Sequence, residues 1–341
     1  ARLQTSLYAW SPGENETRLV RSETDRLAGC VPAARRLLCL QDFATQPRRL
    51  VSIDPLTGSL EVLYDPNPEW LAVQLPRIEM LEYTDGEGNQ SFGQLVYPIG
   101  YRRGRSYPLV IVQYRARGFL NAGTGSEVPI FPLSARGYFV LSVERPEFDE
   151  RATRLSVTEL IRETEFDGSE NRIKREVILA FVDTLRSRQL IDMSRLGITG
   201  MSDGAETAFD LVTETDLFRA IVVASPSTGP LSYALQSRRI RRFLLQEFGL
   251  NPPWDESSPT HSYWEENSAE LRADRLHAAL LINAPESEML SAFALLARLE
   301  QSATPVATYI YPGAYHLKWL PSQIEASQRR SMDWINFWLR G

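Results

Sequence analysis

The residues best placed to do chemistry lie in Leu196-Gly-Ile-Thr-Gly-Met-Ser-Asp-Gly-Ala205. Gly200, Ser202 and Gly204 have the G-x-S-x-G spacing of a nucleophile elbow. The turn from strand into helix at such a serine is so tight that a side chain two residues before or after it would clash, so glycine suits both places. A helix beginning beneath the serine offers backbone N–H groups and its dipole to a developing oxyanion. Five residues alone are a weak signal, because Gly and Ser are common in turns. The context strengthens it: an apolar run, Leu196–Thr199, precedes the motif and a helical pattern, Ala205–Thr213, follows it.

A nucleophilic serine needs a base, and the chain has three histidines. His277 stands just before the apolar run Ala279–Asn283, as a structural residue at a strand entrance would. His261 falls within an irregular stretch. His316, in Tyr311-Pro-Gly-Ala-Tyr-His316, follows the last apolar run, where ligands meet open α/β sheets. It is also the histidine that comes after the elbow with an acidic loop between them, the order Ser, acid, His. That loop reads Ala284-Pro-Glu-Ser-Glu-Met-Leu290 and holds no aspartate, so the carboxylate that orients the imidazole is Glu286 or Glu288. The other suits the N-terminal turn of a helix, where a negative charge complements the dipole.

The elements needed to position these groups are legible from periodicity. The chain has 341 residues, 43% apolar, a size that suggests roughly two domains at ~150 residues each. Residues 1–75 read as all-β: Ser6–Trp10, Arg18–Arg21, Leu37–Leu40, Arg49–Ile53 and Leu60–Tyr64 alternate with turn clusters such as Asp54-Pro-Leu-Thr-Gly58. This spacing fits β-propeller blades of ~40–45 residues, fewer than two of them here, where closed propellers have typically ~4–8. Asp65-Pro-Asn-Pro68 then reads as a linker. Residues 76–341 open with a hairpin, Ile78–Tyr83 and Gln94–Tyr97 around Asp85-Gly86. Buried-strand runs follow at Leu109–Gln113, Tyr138–Val143, Leu196–Thr199, Ala220–Ala224, Ala279–Asn283 and Val306–Tyr311. Ile173, Val177, Phe181 and Leu185 mark one amphipathic helix between them, and Met289, Phe293 and Leu296 another. The expected fold class is α/β, a largely parallel sheet covered on both faces. Thr228–Glu266, with Arg238-Arg-Ile-Arg-Arg242 and Pro252-Pro253, reads as a helical insertion whose arginines form a solvated face.

Composition excludes several classes. A net charge of −6, from 37 Lys+Arg against 43 Asp+Glu, argues against nucleic-acid binding. No stretch approaches ~20 consecutive apolar residues, so no membrane span is expected. Three histidines and two cysteines give no zinc-ligand spacing, and no cofactor is implied. Cys30 and Cys39 flank a hairpin loop at Pro32–Arg36. With the turn centred near Ala34 they face each other within disulfide reach, either bonded or as two reduced thiols in a sheet core. A bond would point to an oxidising compartment such as the periplasm, so periplasm and cytoplasm both stay open.

Ser202, the acidic loop and His316 behind a β-rich N-terminal part resemble the prolyl-oligopeptidase group of serine peptidases. The hydrolase domain of the group is similar to residues 76–341, and the last part of its propeller to residues 1–75. The resemblance implies that earlier blades lie upstream or in a separate chain. Gln113-Tyr-Arg-Ala-Arg-Gly-Phe119, Ile130-Phe-Pro-Leu133, Gly197-Ile-Thr-Gly-Met-Ser-Asp-Gly204 and Tyr315-His-Leu-Lys-Trp319 are most similar to the lasso-peptide isopeptidases of bacteria. That likeness implies Glu288 as the acid, Ser202 as nucleophile and His316 as base. It also implies an oxyanion site made by the Tyr114 hydroxyl and the Asp203 N–H, although Tyr114-Arg-Ala-Arg-Gly118 departs from the group's usual Tyr-Gly-Gly. The implied reaction is hydrolysis of the isopeptide bond of a lasso peptide, with a peptidase or esterase acting on linear substrates as the alternative.

Overall fold

The computed structural model describes all residues except 1–4, 14, 24–25, 87, 89, 115–126, 145, 147–155, 157–158, 160–168 and 341. At the N-terminal end, β1 (Thr5–Ala9) pairs antiparallel with β2 (Arg18–Glu23). A second sheet runs in sequential antiparallel order through β3 (Arg26–Ala33), β4 (Arg36–Asp42), β5 (Arg49–Ile53) and β6 (Leu60–Tyr64). Alternating side chains from its inner strands, Cys39, Val51 and Ile53, are buried against Leu7, Leu27, Leu37 and Leu60. The β3–β4 turn is tighter than the expected Pro32–Arg36 loop. Pro32 pairs with Leu37 and Ala33 with Arg36, leaving a two-residue turn at Ala34 (φ 52°) and Arg35. Pro32 is tolerated because β3 is an edge strand with no ladder donor required on its outer side. Cys30 and Cys39 are disulfide-bonded across this hairpin, with Cα atoms 4.2 Å apart. In the Asp54–Gly58 turn, the Asp54 carboxylate accepts from the N–H groups of Leu56 and Thr57, which holds its pKa below the usual carboxylate range.

The segment read as a linker, residues 65–68, leads into a short helical turn. Pro68–Ala72 forms a short 3-10 turn, from which the Trp70 indole donates to the Thr45 carbonyl (2.8 Å) and meets Phe131 edge to face. These contacts pin the N-terminal sheet to the larger one.

The larger sheet has eight strands among the described residues, in the order β14-β13-β12-β11-β9-β10-β8-β7. The hairpin β7 (Ile78–Thr84) and β8 (Gln90–Val96) joins antiparallel to β10 (Phe139–Glu144). The remaining strands, β9 (Tyr107–Tyr114), β11 (Ile191–Met201), β12 (Phe218–Ala224), β13 (Ala279–Pro285) and β14 (Val306–Tyr311), run parallel to β10. Successive residues of a strand face opposite sides, so a continuous apolar run needs a cover on each. Leu109, Ile111, Leu141 and Ile198 pack beneath α2 (Ser169–Ser187) and α3 (Asp203–Glu214). Val110, Val112, Val140 and Val222 pack beneath α1 (Ile130–Ala135) and the C-terminal helix α8 (Pro321–Arg340). Ile173, Val177, Phe181 and Leu185 of α2 are all buried, as their spacing by four requires.

Residues 228–266 do form helices, α4 (Pro230–Leu235), α5 (Arg238–Phe248) and α6 (His261–Asn267), and Arg238, Arg239 and Arg242 are exposed on α5. The expected helix through Met289 and Phe293 is divided instead. Glu286–Ala292 winds as a 3-10 turn before α7 (Phe293–Leu299) begins, and Phe293 is exposed. Within the turn Ser291 Oγ donates back to the Glu288 carbonyl (2.5 Å), and both glutamates are engaged by the sequence-distant loop of Gly313 and His316.

Candidate active site

β11 delivers Ser202 at its carboxyl end and α3 begins at the next residue. Ser202 has φ 54°, a value few non-glycine residues adopt, typical of strain held at functional sites. Backbone bonds keep it there: its N–H donates to the Ala224 carbonyl (3.1 Å), and its carbonyl accepts from the Ala205 N–H (2.8 Å). Gly200 shows why the motif needs glycine, since a Cβ there would run into the Gly204 carbonyl. Gln113 of β9 supports the same turn by donating its side-chain amide to that carbonyl.

The base and acid candidates come from two loops at the same sheet edge. His316 Nδ1 lies 2.9 Å from Glu288 Oε1. The hydrogen bond and the carboxylate charge hold the His316 pKa above 6.5, and the same bond holds Glu288 below 4.5. Glu286 points elsewhere, accepting from the Gly313 N–H at 2.7 Å, which braces the turn before the histidine. Ser202, Glu288 and His316 line one cleft of about 540 Å³ together with Glu206, Ser227 and Gln236. Most of its lining is polar, with Pro226, Leu235 and Leu290 as the apolar part.

Other expected residues are placed less completely. Tyr114 closes β9, but its side chain and residues 115–119 of its motif lie outside the described residues. Asp203 opens α3, and its side chain is paired with Lys174 (2.7 Å). His261 opens α6 and His277 is exposed ahead of β13; neither lines the cleft.

Two contributions escape a reading by motif. Ser225, at the end of β12, also has a positive φ (49°), lines the cleft, and donates Oγ to the His316 carbonyl (3.1 Å). Its position one residue beyond a parallel strand is the signal that could have found it. Lys174 is a buried cation on α2, bonded to Glu170 and Asp203. The α2 pattern marks it only as a polar residue one place beyond Ile173.

A strained serine between a parallel strand and a helix, sharing a cleft with a His–Glu pair, is an arrangement of α/β-hydrolases. Residues 172–341 match the model of the prolyl oligopeptidase family, and the chain belongs to that family. Over 317 residues it is 36% identical to the lasso peptide isopeptidase AtxE2 of Asticcacaulis excentricus, covering 93% of this chain and 45% of that protein. Solved structures agree. The apo AtxE2 isopeptidase superposes with a TM-score of 0.89 at 34% identity, covering 98% of this chain and 51% of the other. A serine-to-alanine AtxE2 variant with Astexin3-dC4 bound gives 0.90 over the same shares. An acylaminoacyl peptidase of Pyrococcus horikoshii, 19% identical, gives 0.76 over 98% and 52%, a likeness of fold. The chain spans about half the length of the curated relatives it matches.

Proposed function

We propose that the protein is a serine hydrolase that opens the isopeptide bond of a lasso peptide to give a linear peptide. Ser202 Oγ attacks the side-chain carbonyl of the ring-closing acidic residue. His316 accepts the serine proton and returns it to the leaving α-amine, then activates water to release the acyl group. Glu288 holds the imidazole in the productive tautomer and stabilises the imidazolium. The Asp203 N–H and the Tyr114 hydroxyl receive the oxyanion.

The observation that carries the chemistry is the His316–Glu288 bond sharing a cleft with a strained Ser202. The lasso peptide as substrate rests on the 36% identity to AtxE2. In line with this reading, the sequential antiparallel meander β3–β6 is interpreted as one propeller blade, and residues 1–75 as the C-terminal part of a propeller that walls the cleft. The Cys30–Cys39 disulfide favours the periplasm over the cytoplasm. No helix among the described residues is long and apolar enough to cross a membrane.

Mass spectrometry on paired substrates tests the proposal. A threaded lasso peptide should gain one water, and its heat-unthreaded branched form, with the same isopeptide bond, should react much more slowly. Fold-dependent contacts remote from the bond position its carbonyl, and unthreading discards them. Equal rates on both forms would remove the lasso specificity. Preference for linear peptides would favour the peptidase alternative.

A further inference from the structure

Lys318 and Glu127 form an ion pair that the roles above do not use. The Lys318 side chain is fully buried and that of Glu127 is 3% exposed, unusual for two charged groups. Lys318 Nζ donates to Glu127 Oε2 at 2.9 Å. Ser327 Oγ of α8 donates to the same oxygen at 3.4 Å, while Glu127 Oε1 is buried with no partner among the described residues. The ammonium also lies 5.0 Å from the centre of the Tyr311 ring at the end of β14. The pair therefore ties together the segment before α1, the histidine loop, β14 and α8.

Removing two charges from water costs several kcal/mol per ion, and apolar groups of the same volume often serve stability as well. A charged pair in this place calls for a reason beyond packing, and position offers one. Lys318 follows His316 by two residues, on a loop whose remaining tethers lie nearer the surface: Gly313 N–H donates to Glu286, Ser287 N–H to the Ala314 carbonyl, Gln323 to the Pro312 carbonyl and Ser225 to the His316 carbonyl.

We propose that Lys318 and Glu127 are positioning residues for His316, clamping the loop that carries it while keeping the charge near the imidazole balanced. The proposal rests on reading His316 as the base. The charged groups around His316 are Glu288 from the acidic turn, Lys318 on its own loop and Glu127 from the segment before α1. Glu206 lines the cleft from α3, Glu286 is held by Gly313, and Arg330 of α8 is stacked on Tyr309 and Tyr311. Glu127 favours the imidazolium and Lys318 disfavours it, so the pair leaves Glu288 in control of the titration.

The test is the rate of Ser202 labelling by a fluorophosphonate, across roughly pH 5 to 9 to span histidine's titration, in the full chain. Lys318→Met leaves an unpaired carboxylate near the ring and should move the midpoint to higher pH. Glu127→Gln leaves an ammonium and should move it lower. The double variant Lys318→Met with Glu127→Gln removes both charges. It should restore the wild-type midpoint while its plateau rate falls about tenfold through loss of the clamp. Opposite shifts distinguish this role from a merely structural one. Should a single variant fail to fold, Lys318→Arg is read in its place, with an unchanged midpoint and a reduced plateau expected. Midpoints and plateaus all within error of wild type would overturn this proposal alone. A wild type that does not label at Ser202 would overturn the serine-hydrolase reading with it.

Discussion

The serine side and the histidine side of the cleft are built on different principles. Ser202 is set by backbone: a strained φ, a hydrogen bond from its N–H to β12, and a glycine two residues earlier whose missing Cβ makes room for the Gly204 carbonyl. His316 is set by side chains: one bond to Glu288, one from Ser225 to its carbonyl, and the buried Lys318–Glu127 pair just beyond. Its loop also contains a glycine with positive φ, Gly313 at 67°, but open space surrounds that position. A backbone-defined site tolerates almost no change of covalent shape. A side-chain-defined site tolerates changes of shape but responds to changes of charge.

Breaking the serine side chemically should have the largest effect. Ser202→Ala should abolish fluorophosphonate labelling and lower turnover by about 10⁶-fold, because triad members act as a unit. Turnover near wild type would sink the nucleophile assignment. Breaking the histidine side by charge comes next. Glu288→Ala should lower turnover by about 10³–10⁴-fold, whereas Glu286→Ala, which loses only the brace to Gly313, should stay within about tenfold of wild type. A reversed order in steady-state assays would exchange the two roles.

Two glycines sharpen the contrast of shape. Gly200→Ala should slow labelling by about 100-fold and destabilise by about 1–3 kcal/mol, since backbone must shift to admit the methyl. Gly313→Ala should cost only about 1 kcal/mol of left-handed strain, with labelling nearly unchanged. Thermal melts with labelling rates check both, and equal effects would erase the distinction. The smallest expected effect is a shift of pH. His316 must be neutral to take a proton, and Glu288 holds its pKa above 6.5, so labelling should rise with pH through a midpoint above that value. Glu288→Gln should lower the midpoint, since the carboxylate charge that raises it is gone. The pair's contribution to stability is largest between the two titrations. It is lost as pH falls through the depressed Glu288 pKa and as pH rises through the raised His316 pKa.

How much of this could be read from residues alone follows the same division. Gly200-Met-Ser-Asp-Gly204 announces its geometry because sterics act between residues two apart in the chain. The strands beneath it are legible for a similar reason: apolar runs such as Leu109–Gln113 and Ala220–Ala224 are long enough only for buried strands, although their ends moved by up to five residues, as at Leu196, where β11 begins at Ile191. The Met289–Phe293–Leu296 spacing misled, because side-chain bonds to a distant loop tightened Glu286–Ala292 into a 3-10 turn. Cys30 and Cys39 were opposed by turn counting, yet counting could not distinguish a bond from two thiols.

The α/β pattern, the elbow at Ser202 and a short list of partners in chain order are legible in residue order, because periodicity and tight turns are local properties. Spacing left both glutamates open and resemblance favoured Glu288; the folded chain is what sets Glu288 against the imidazole and Glu286 against Gly313, braces the same loop with Ser225, and brings Lys318 to Glu127 in the interior. The pairings of Glu288, Ser225 and Lys318 join residues 28 to 191 positions apart. Their geometry depends on how parallel strands align at one sheet edge, and no local pattern carries that information.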